Sequence, residues 1–176
     1  MKVSGTYKFE APIQRVWEFL IDPEKLQKCI PGAGKLETVG PNEYTGEIDV
    51  GIAAVKGQYK GKVKLEDLQP SKHYRINVDG KGKQGFIKGT GTLDLSETGP
   101  NETLLTYAGD AQIGGPLASV GQRMIDGAAK TMLNQFFVAM EAEVKAAPGE
   151  VVRQGVFLNF WRLFLKWLRG IFGGKS

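Results

Sequence analysis

The chain contains one cysteine and one histidine among its 176 residues. With a single thiol, Cys29, no internal disulfide can form. A lone imidazole, His73, leaves no His/Cys spacing for a zinc site and no neighbouring Cys–His pair for nucleophilic catalysis. No metal site, nucleophilic triad or phosphate loop is expected, because the many glycines follow strand parity and not a phosphate-binding pattern. The start, MKVSGTYKFEA, has no apolar run of the kind a signal peptide needs, so a cytoplasmic protein is expected. Charge of one sign is also missing from most of the chain. Residues 151–176 carry five cations (Arg153, Arg162, Lys166, Arg169, Lys175) and no acid. Setting these and Glu150 aside leaves 18 basic and 18 acidic residues in 1–149. A nucleic-acid binder would spread basic residues over its folded body, so that class is set aside.

What is abundant sits at the end, in GVFLNFWRLFLKWLRGIFGGKS. Placed on a helix, Asn159, Arg162, Lys166 and Arg169 form one polar stripe. Phe157, Phe160, Trp161, Phe164, Trp167, Leu168, Ile171 and Phe172, with Leu163 and Leu165, cover the rest. From Val156 to Phe172 such a helix reaches about 25 Å, short of a hydrocarbon core about 30 Å thick, and it would carry Arg162 and Lys166 at mid-depth. Lying flat on an anionic membrane surface avoids both costs, so an interfacial amphipathic helix is expected over 156–172. Docking on the chain's own core or in a partner's groove is the alternative. Ala146-Ala147-Pro148-Gly149-Glu150 breaks the chain, which makes 147–155 a linker and 1–146 a single domain large enough for its own core.

Within that domain the periodicity changes in order. Lys2–Phe9 alternates as a strand, Pro12 opens a short helix to Leu20, and Asp22-Pro23 starts a second, ended by Pro31-Gly32. From about Lys35 to Ile113 the period is two, broken at Gly40-Pro41-Asn42, Ala53-Ala54, Pro70-Ser71, Lys81–Gln84 and Gly99-Pro100-Asn101, which predicts six more strands. Gly114-Gly115-Pro116 then opens a long helix to about Lys145, with Leu117, Val120, Met124, Ala128, Met132, Phe136 and Met140 on one stripe. This order predicts an α+β helix-grip fold: a curled antiparallel seven-stranded sheet around a long C-terminal helix.

Parity selects the inward side chains. Lys56, Lys60, Lys62 and Lys64 must face water, which turns Gly57, Tyr59, Gly61, Val63 and Leu65 inward. The same sorting turns Tyr44, Gly46, Ile48, Val50 and Ile52 inward, then Tyr74, Ile76, Val78 and Gly80. Ile87, Gly89, Gly91 and Leu93 follow, then Leu105, Tyr107, Gly109 and Ala111. Each of these strands places at least one glycine on its apolar side. A strand glycine serves bending or close backbone approach, but repeated on one face it also leaves volume unfilled. An apolar cavity is expected, lined by Ile48, Val50, Tyr59, Gly61, Val63, Ile76, Ile87, Tyr107 and Gly109 from the sheet. Leu117, Val120, Met124, Ala128 and Met132 would line it from the long helix. His73 shares parity with Arg75, Asn77 and Asp79 and is expected at the surface. Cys29 is expected to be a small buried thiol, and no catalytic residue is assigned.

AP..RVWEFLIDPEKLQKCIPG (Ala11–Gly32), GKGKQGFIKGTGTLDL (Gly80–Leu95) and QIGGPLASVGQRMIDGAAKTMLNQFF (Gln112–Phe137) resemble the G-subunit family of carbon monoxide dehydrogenase. That family belongs to the START-like superfamily of helix-grip lipid and ligand carriers, and the resemblance covers residues 1–146. It implies a non-catalytic companion of a molybdenum-containing carbon monoxide dehydrogenase or related hydroxylase, implicated in bringing that enzyme to the membrane. Cavity, tail and family setting together lead to the expectation of an adaptor that carries an isoprenoid quinone, menaquinone or ubiquinone, and is peripheral on the inner face of the membrane. A START-like cyclase or hydrolase acting on a small hydrophobic substrate is the alternative, and a ligand-free scaffold is a third.

Overall fold

The structure is a computed structural model and describes residues 1–146. The linker expected at 147–155 and the amphipathic helix expected at 156–172 lie outside the described residues. Strand β1 (Lys2–Phe9) leads into helices α1 (Ile13–Leu20) and α2 (Pro23–Cys29). Six strands follow: β2 (Glu37–Gly40), β3 (Glu43–Val50), β4 (Gly57–Gln69), β5 (His73–Gly82), β6 (Gly85–Gly99) and β7 (Glu102–Gly114). A 3₁₀ turn (Gly115–Val120) and helix α3 (Gln122–Lys145) complete the domain. The strands form one antiparallel sheet in the order β1-β7-β6-β5-β4-β3-β2, open at β1 and β2.

Local chemistry sets the boundaries. The Asp22 carboxylate accepts from the backbone N–H groups of Glu24 (3.0 Å) and Lys25 (3.3 Å), and Pro23 occupies the first turn of α2, where its missing N–H costs nothing. Asn42 and Ser71, at φ 56° and 61°, turn the chain between strands with the residue types that tolerate that region. Burial along the strands alternates as the lysine parity requires.

The predicted continuous helix from Gly114 to Lys145 is not what forms. Gly121 adopts φ +97° between the 3₁₀ turn and α3, a conformation that a helix cannot contain. This break resets the helical phase. The buried stripe of α3 is Ile125, Ala128, Phe137, Met140 and Val144. Met124, expected to line the cavity, is 56% exposed, and Phe136 is only partly buried beside its fully packed neighbour Phe137.

Apolar burial divides into two clusters. The larger joins α1, α2 and the second half of α3 to one end of the sheet through Phe9, Val16, Trp17, Leu20, Leu65, Tyr74, Leu95, Leu105, Phe137 and Met140. Tyr7, Phe9, Tyr107, Phe136 and Phe137 form an aromatic group within it, with centroid separations of 4.8–6.2 Å. The smaller cluster, Val50, Tyr59 and Leu117 with Ile48, Val55, Ile87, Ile113, Val120 and Met132, closes the opposite end.

Candidate functional site

Between the two clusters β1 and β3 to β7 each present glycine, alanine or valine inward. The residues that meet across the sheet are Gly46, Gly61 and Gly80 in one row, Val78, Gly89 and Ala111 in the next, and Gly91, Gly109 and Val3 in a third. Small side chains in adjacent rows leave a strip without filling. A cavity of about 1140 Å³ lies there, bordered by Tyr44, Val63, Val78, Gly89, Ala111 and Ile113 on the sheet and by Ala118, Gln122 and Ile125 on the helical side. Glu43, Lys62, Lys64, Asn77, Asp79, Lys88, Thr90, Asp110 and Gln112, of the opposite parity, border it as well. This fits strand backbone left uncovered where neighbouring side chains are absent.

The glycines do not all serve one purpose. A Cβ on Gly61 would meet only the Asp79 carbonyl oxygen at 3.7 Å, and one on Gly80 only the Ile87 carbonyl oxygen at 3.9 Å, both ordinary contacts. Gly46 lies beneath Leu36, whose Cδ2 would be 2.7 Å from a Cβ there, and Gly5 lies beneath the Tyr107 ring. Gly109 has the Thr90 carbonyl oxygen at 3.2 Å. A side chain could therefore be added at Gly61 and Gly80, neither of which borders the cavity itself, while Gly46, Gly5 and Gly109 allow close approach.

Of the residues expected to line the cavity, Val63 borders it directly. Gly61 and Gly109 belong to the strip, whereas Ile76 and Tyr107 pack on the larger cluster. Ile48, Val50, Tyr59, Ile87, Leu117, Val120 and Met132 pack in the smaller cluster and do not border the cavity. Ala128 is buried in α3. Met124 is turned away, and Ile125 takes its place. Tyr44, Gln122 and Ala118 border the cavity although sequence reasoning does not assign them to it; the parity of Tyr44 is the available signal, while Gln122 and Ala118 depend on the break at Gly121. The Tyr59 hydroxyl donates to the Val55 carbonyl oxygen at 2.9 Å, and burial raises its pKa, so it stays a neutral structural donor.

Reactive groups lie elsewhere. His73 holds Asp94 through Nδ1 at 2.7 Å on the outward face, its cross-strand partner by register. Cys29 is 2% exposed, and burial pushes its thiol up to about 12, far from the thiolate a nucleophile needs. Among the described residues no cluster of His, Cys, Asp or Glu could hold a metal ion. His73→Ala and Cys29→Ala are expected to leave ligand affinity within about twofold of wild type, with Cys29→Ala costing about 1 kcal/mol of stability. Titration of each variant with an apolar ligand and thermal melts check this.

An open antiparallel sheet gripping a long helix at the end of the domain defines a START-like, helix-grip fold. The chain belongs to the CoxG family, the G-subunit family of carbon monoxide dehydrogenase, whose model matches residues 5–145. A conserved protein from Geobacillus kaustophilus, solved as a crystal structure, is 37% identical, with 82% of this chain and 95% of that one covered and a TM-score of 0.80. A START superfamily protein from Mycobacterium smegmatis is 16% identical, covering 82% and 97%, at a TM-score of 0.65. The ZhuI aromatase/cyclase from Streptomyces sp. R1128 is also 16% identical, covering 86% and 99%, at 0.64. These last two establish the fold alone. No curated protein matches the sequence. The family name associates the chain with carbon monoxide dehydrogenase as an accessory component. Among the described residues, no helix is long and apolar enough to cross a membrane.

Proposed function

We propose that this protein is a non-catalytic membrane adaptor that carries an isoprenoid quinone and couples a carbon monoxide dehydrogenase-like molybdenum hydroxylase to the respiratory membrane. The observation that carries this reading is the strip of absent side chains between two packed clusters, which keeps apolar volume open inside a protein small enough to need all its core. A dehydrogenase that feeds a respiratory chain must reach a quinone whose apolar tail holds it in the bilayer. A shielded cavity on a membrane-surface anchor shortens that path.

A cyclase would need an acid–base group aimed into the hollow. The inward positions of the strip are glycine, alanine and valine. The three carboxylates bordering it belong to the outward parity: the Asp79 side chain is 57% exposed and 3.6 Å from Lys88, that of Asp110 is 63% exposed, and that of Glu43 is 44% exposed and 3.6 Å from Lys64. The test is mass spectrometry of lipids extracted from the full-length protein purified without detergent. Quinone in near-stoichiometric amount is expected. A lipid-free extract, together with failure to take up added quinone, would overturn the proposal.

A further inference from the structure

Glycine is the poorest helix former after proline, so a glycine inside a helix is expected where another group must come close. Gly127 lies within α3, and apart from its own helical turn no atom comes within 4 Å of where its Cβ would be. Nothing in the domain requires glycine there. The other two glycines with as much open space are accounted for: Gly121 takes φ +97°, and Gly51 lies outside regular structure. Gly127 belongs to the exposed side of α3, away from the buried Ile125 and Met140, in one row with Met124, Thr131 and Val138 at helical spacing.

This face differs from the rest of the surface. Met124 and Val138 are two of the three large apolar residues left more than half exposed among the described residues, and about 21 Å of helix separates them. Between them the profile is low. Gly127 has no side chain, and the Thr131 hydroxyl donates back to the Gly127 carbonyl oxygen at 2.9 Å, so the helix itself satisfies it. Arg123 and Lys130 flank this half of the row, both exposed, and neither has an ionic partner among the described residues. The three acids of α3, Asp126, Glu141 and Glu143, are all partly buried, so the exposed charge is of one sign. On the outward face of the sheet, by contrast, lysines are matched within the domain: Lys60 to Glu47 at 2.9 Å, Lys64 to Glu66 at 3.2 Å and Lys88 to Asp79 at 3.6 Å.

A bilayer surface gains from large side chains that insert, and the middle of this row offers none. A second copy of this chain would set Arg123 and Lys130 against cations. A helix of another protein fits both features: the low centre lets two backbones approach, and carboxylates on that helix would pair with the two unmatched cations. We infer that the exposed face of α3 is where the partner dehydrogenase docks, through a helix of that enzyme that crosses α3 over Gly127 and Thr131, between Met124 and Val138, and sets acidic side chains against Arg123 and Lys130. This rests on the coupling function proposed above and adds to it the face of this protein that meets the enzyme and the chemistry of the enzyme's side.

The test is sedimentation velocity of the full-length protein with the carbon monoxide dehydrogenase-like holoenzyme purified from the same cells, in lipid-free buffer over a range of salt. Wild type should bind, and more weakly as salt rises. Gly127→Gln places a side chain at the crossing point and should weaken binding at least about tenfold, while raising the thermal midpoint because glutamine is the better helix former. Loss of binding in a more stable protein cannot come from misfolding. Arg123→Glu combined with Lys130→Glu should also weaken binding at least about tenfold and flatten its salt dependence. Lys81→Glu combined with Lys83→Glu makes the same change in net charge on the exposed β5–β6 hairpin and should stay within about twofold of wild type. If Gly127→Gln binds the enzyme as wild type does, or if the hairpin pair weakens binding as much as the helix pair, the docking face is overturned. A helix charge pair that spares enzyme binding but abolishes sedimentation with phosphatidylglycerol vesicles would make this face a membrane contact and overturn it as well. Wild type that does not bind the enzyme at any salt concentration would overturn the coupling function itself, and the docking face with it.

Discussion

Deleting residues 151–176 is expected to leave a folded body that no longer sediments with anionic vesicles. The physical basis is the distribution of charge and apolar bulk. The body at 1–149 balances its basic and acidic residues, so it offers an anionic surface no net attraction, whereas the tail carries five cations and no acid. Each cation near such a surface contributes about 1 kcal/mol. The apolar stripe expected at 156–172 would add on the order of 10 kcal/mol before ordering costs, at about 1.5–3 kcal/mol per large side chain buried. Losing both should lower vesicle affinity by at least about a hundredfold. The body should survive, because both core clusters lie between Tyr7 and Val144 and the Geobacillus kaustophilus relative is almost entirely spanned by the matched region. Replacing Arg162, Lys166 and Arg169 with glutamate should separate the two contributions: it keeps the apolar stripe and reverses the attraction. Vesicle binding that survives deletion would place the membrane contact on the body. Binding indifferent to charge reversal and to salt would point to a protein groove instead.

The sheet was legible because its signals repeat. Lysines at 56, 60, 62 and 64 determine the parity of β4, and antiparallel pairing carries that parity to every other strand. The inward sets derived from sequence therefore agree with the observed registers from Gly46–Gly61–Gly80 through Gly89–Ala111. Turns and caps were legible for a different reason. Asp22-Pro23, Pro41-Asn42 and Pro70-Ser71 each combine residues whose backbone preferences act locally, whatever the rest of the chain does.

Two features were hidden. The stripe Leu117–Val120–Met124 has helical spacing and reads as continuous, yet Gly121 takes a left-handed backbone, so the face that follows belongs to Ile125 and Ala128. A single glycine inside a periodic run carries no mark of whether it will bend the helix or end it. The second hidden feature is which glycines leave room. Parity places Gly46 and Gly61 on the same face and in the same row, but Leu36 from the segment before β2 covers the first and nothing covers the second. That difference comes from a residue outside the alternating pattern and appears only in three dimensions.

Gly32 and Gly61 should respond to the same substitution in opposite ways. In the segment Ile30-Pro31-Gly32-Ala33-Gly34, the chain leaves α2 and runs along the edge of β3. Asp49 donates its N–H to the Gly32 carbonyl oxygen at 2.9 Å, and Gly34 donates to that of Glu47 at 2.7 Å. Gly32 makes this approach at φ +77°, and a Cβ there would collide with the Asp49 carbonyl oxygen, a backbone atom that no rotamer change can move aside. The left-handed backbone alone costs a residue with a side chain about 1–2 kcal/mol, and moving the β3 edge adds further strain and weakens its two hydrogen bonds. Gly32→Ala is therefore expected to lose at least about 3 kcal/mol, a large fraction of the roughly 5–15 kcal/mol typical of a domain. At Gly61 the backbone is an ordinary strand and a Cβ meets only one atom, at 3.7 Å. Gly61→Ala should be neutral or stabilising by up to about 1 kcal/mol, because alanine loses less freedom on folding. Chemical denaturation of both variants beside wild type makes the comparison directly. Equal losses at the two positions would mean that Gly61 too is held by backbone constraint, and the open strip between the clusters would lose its main support.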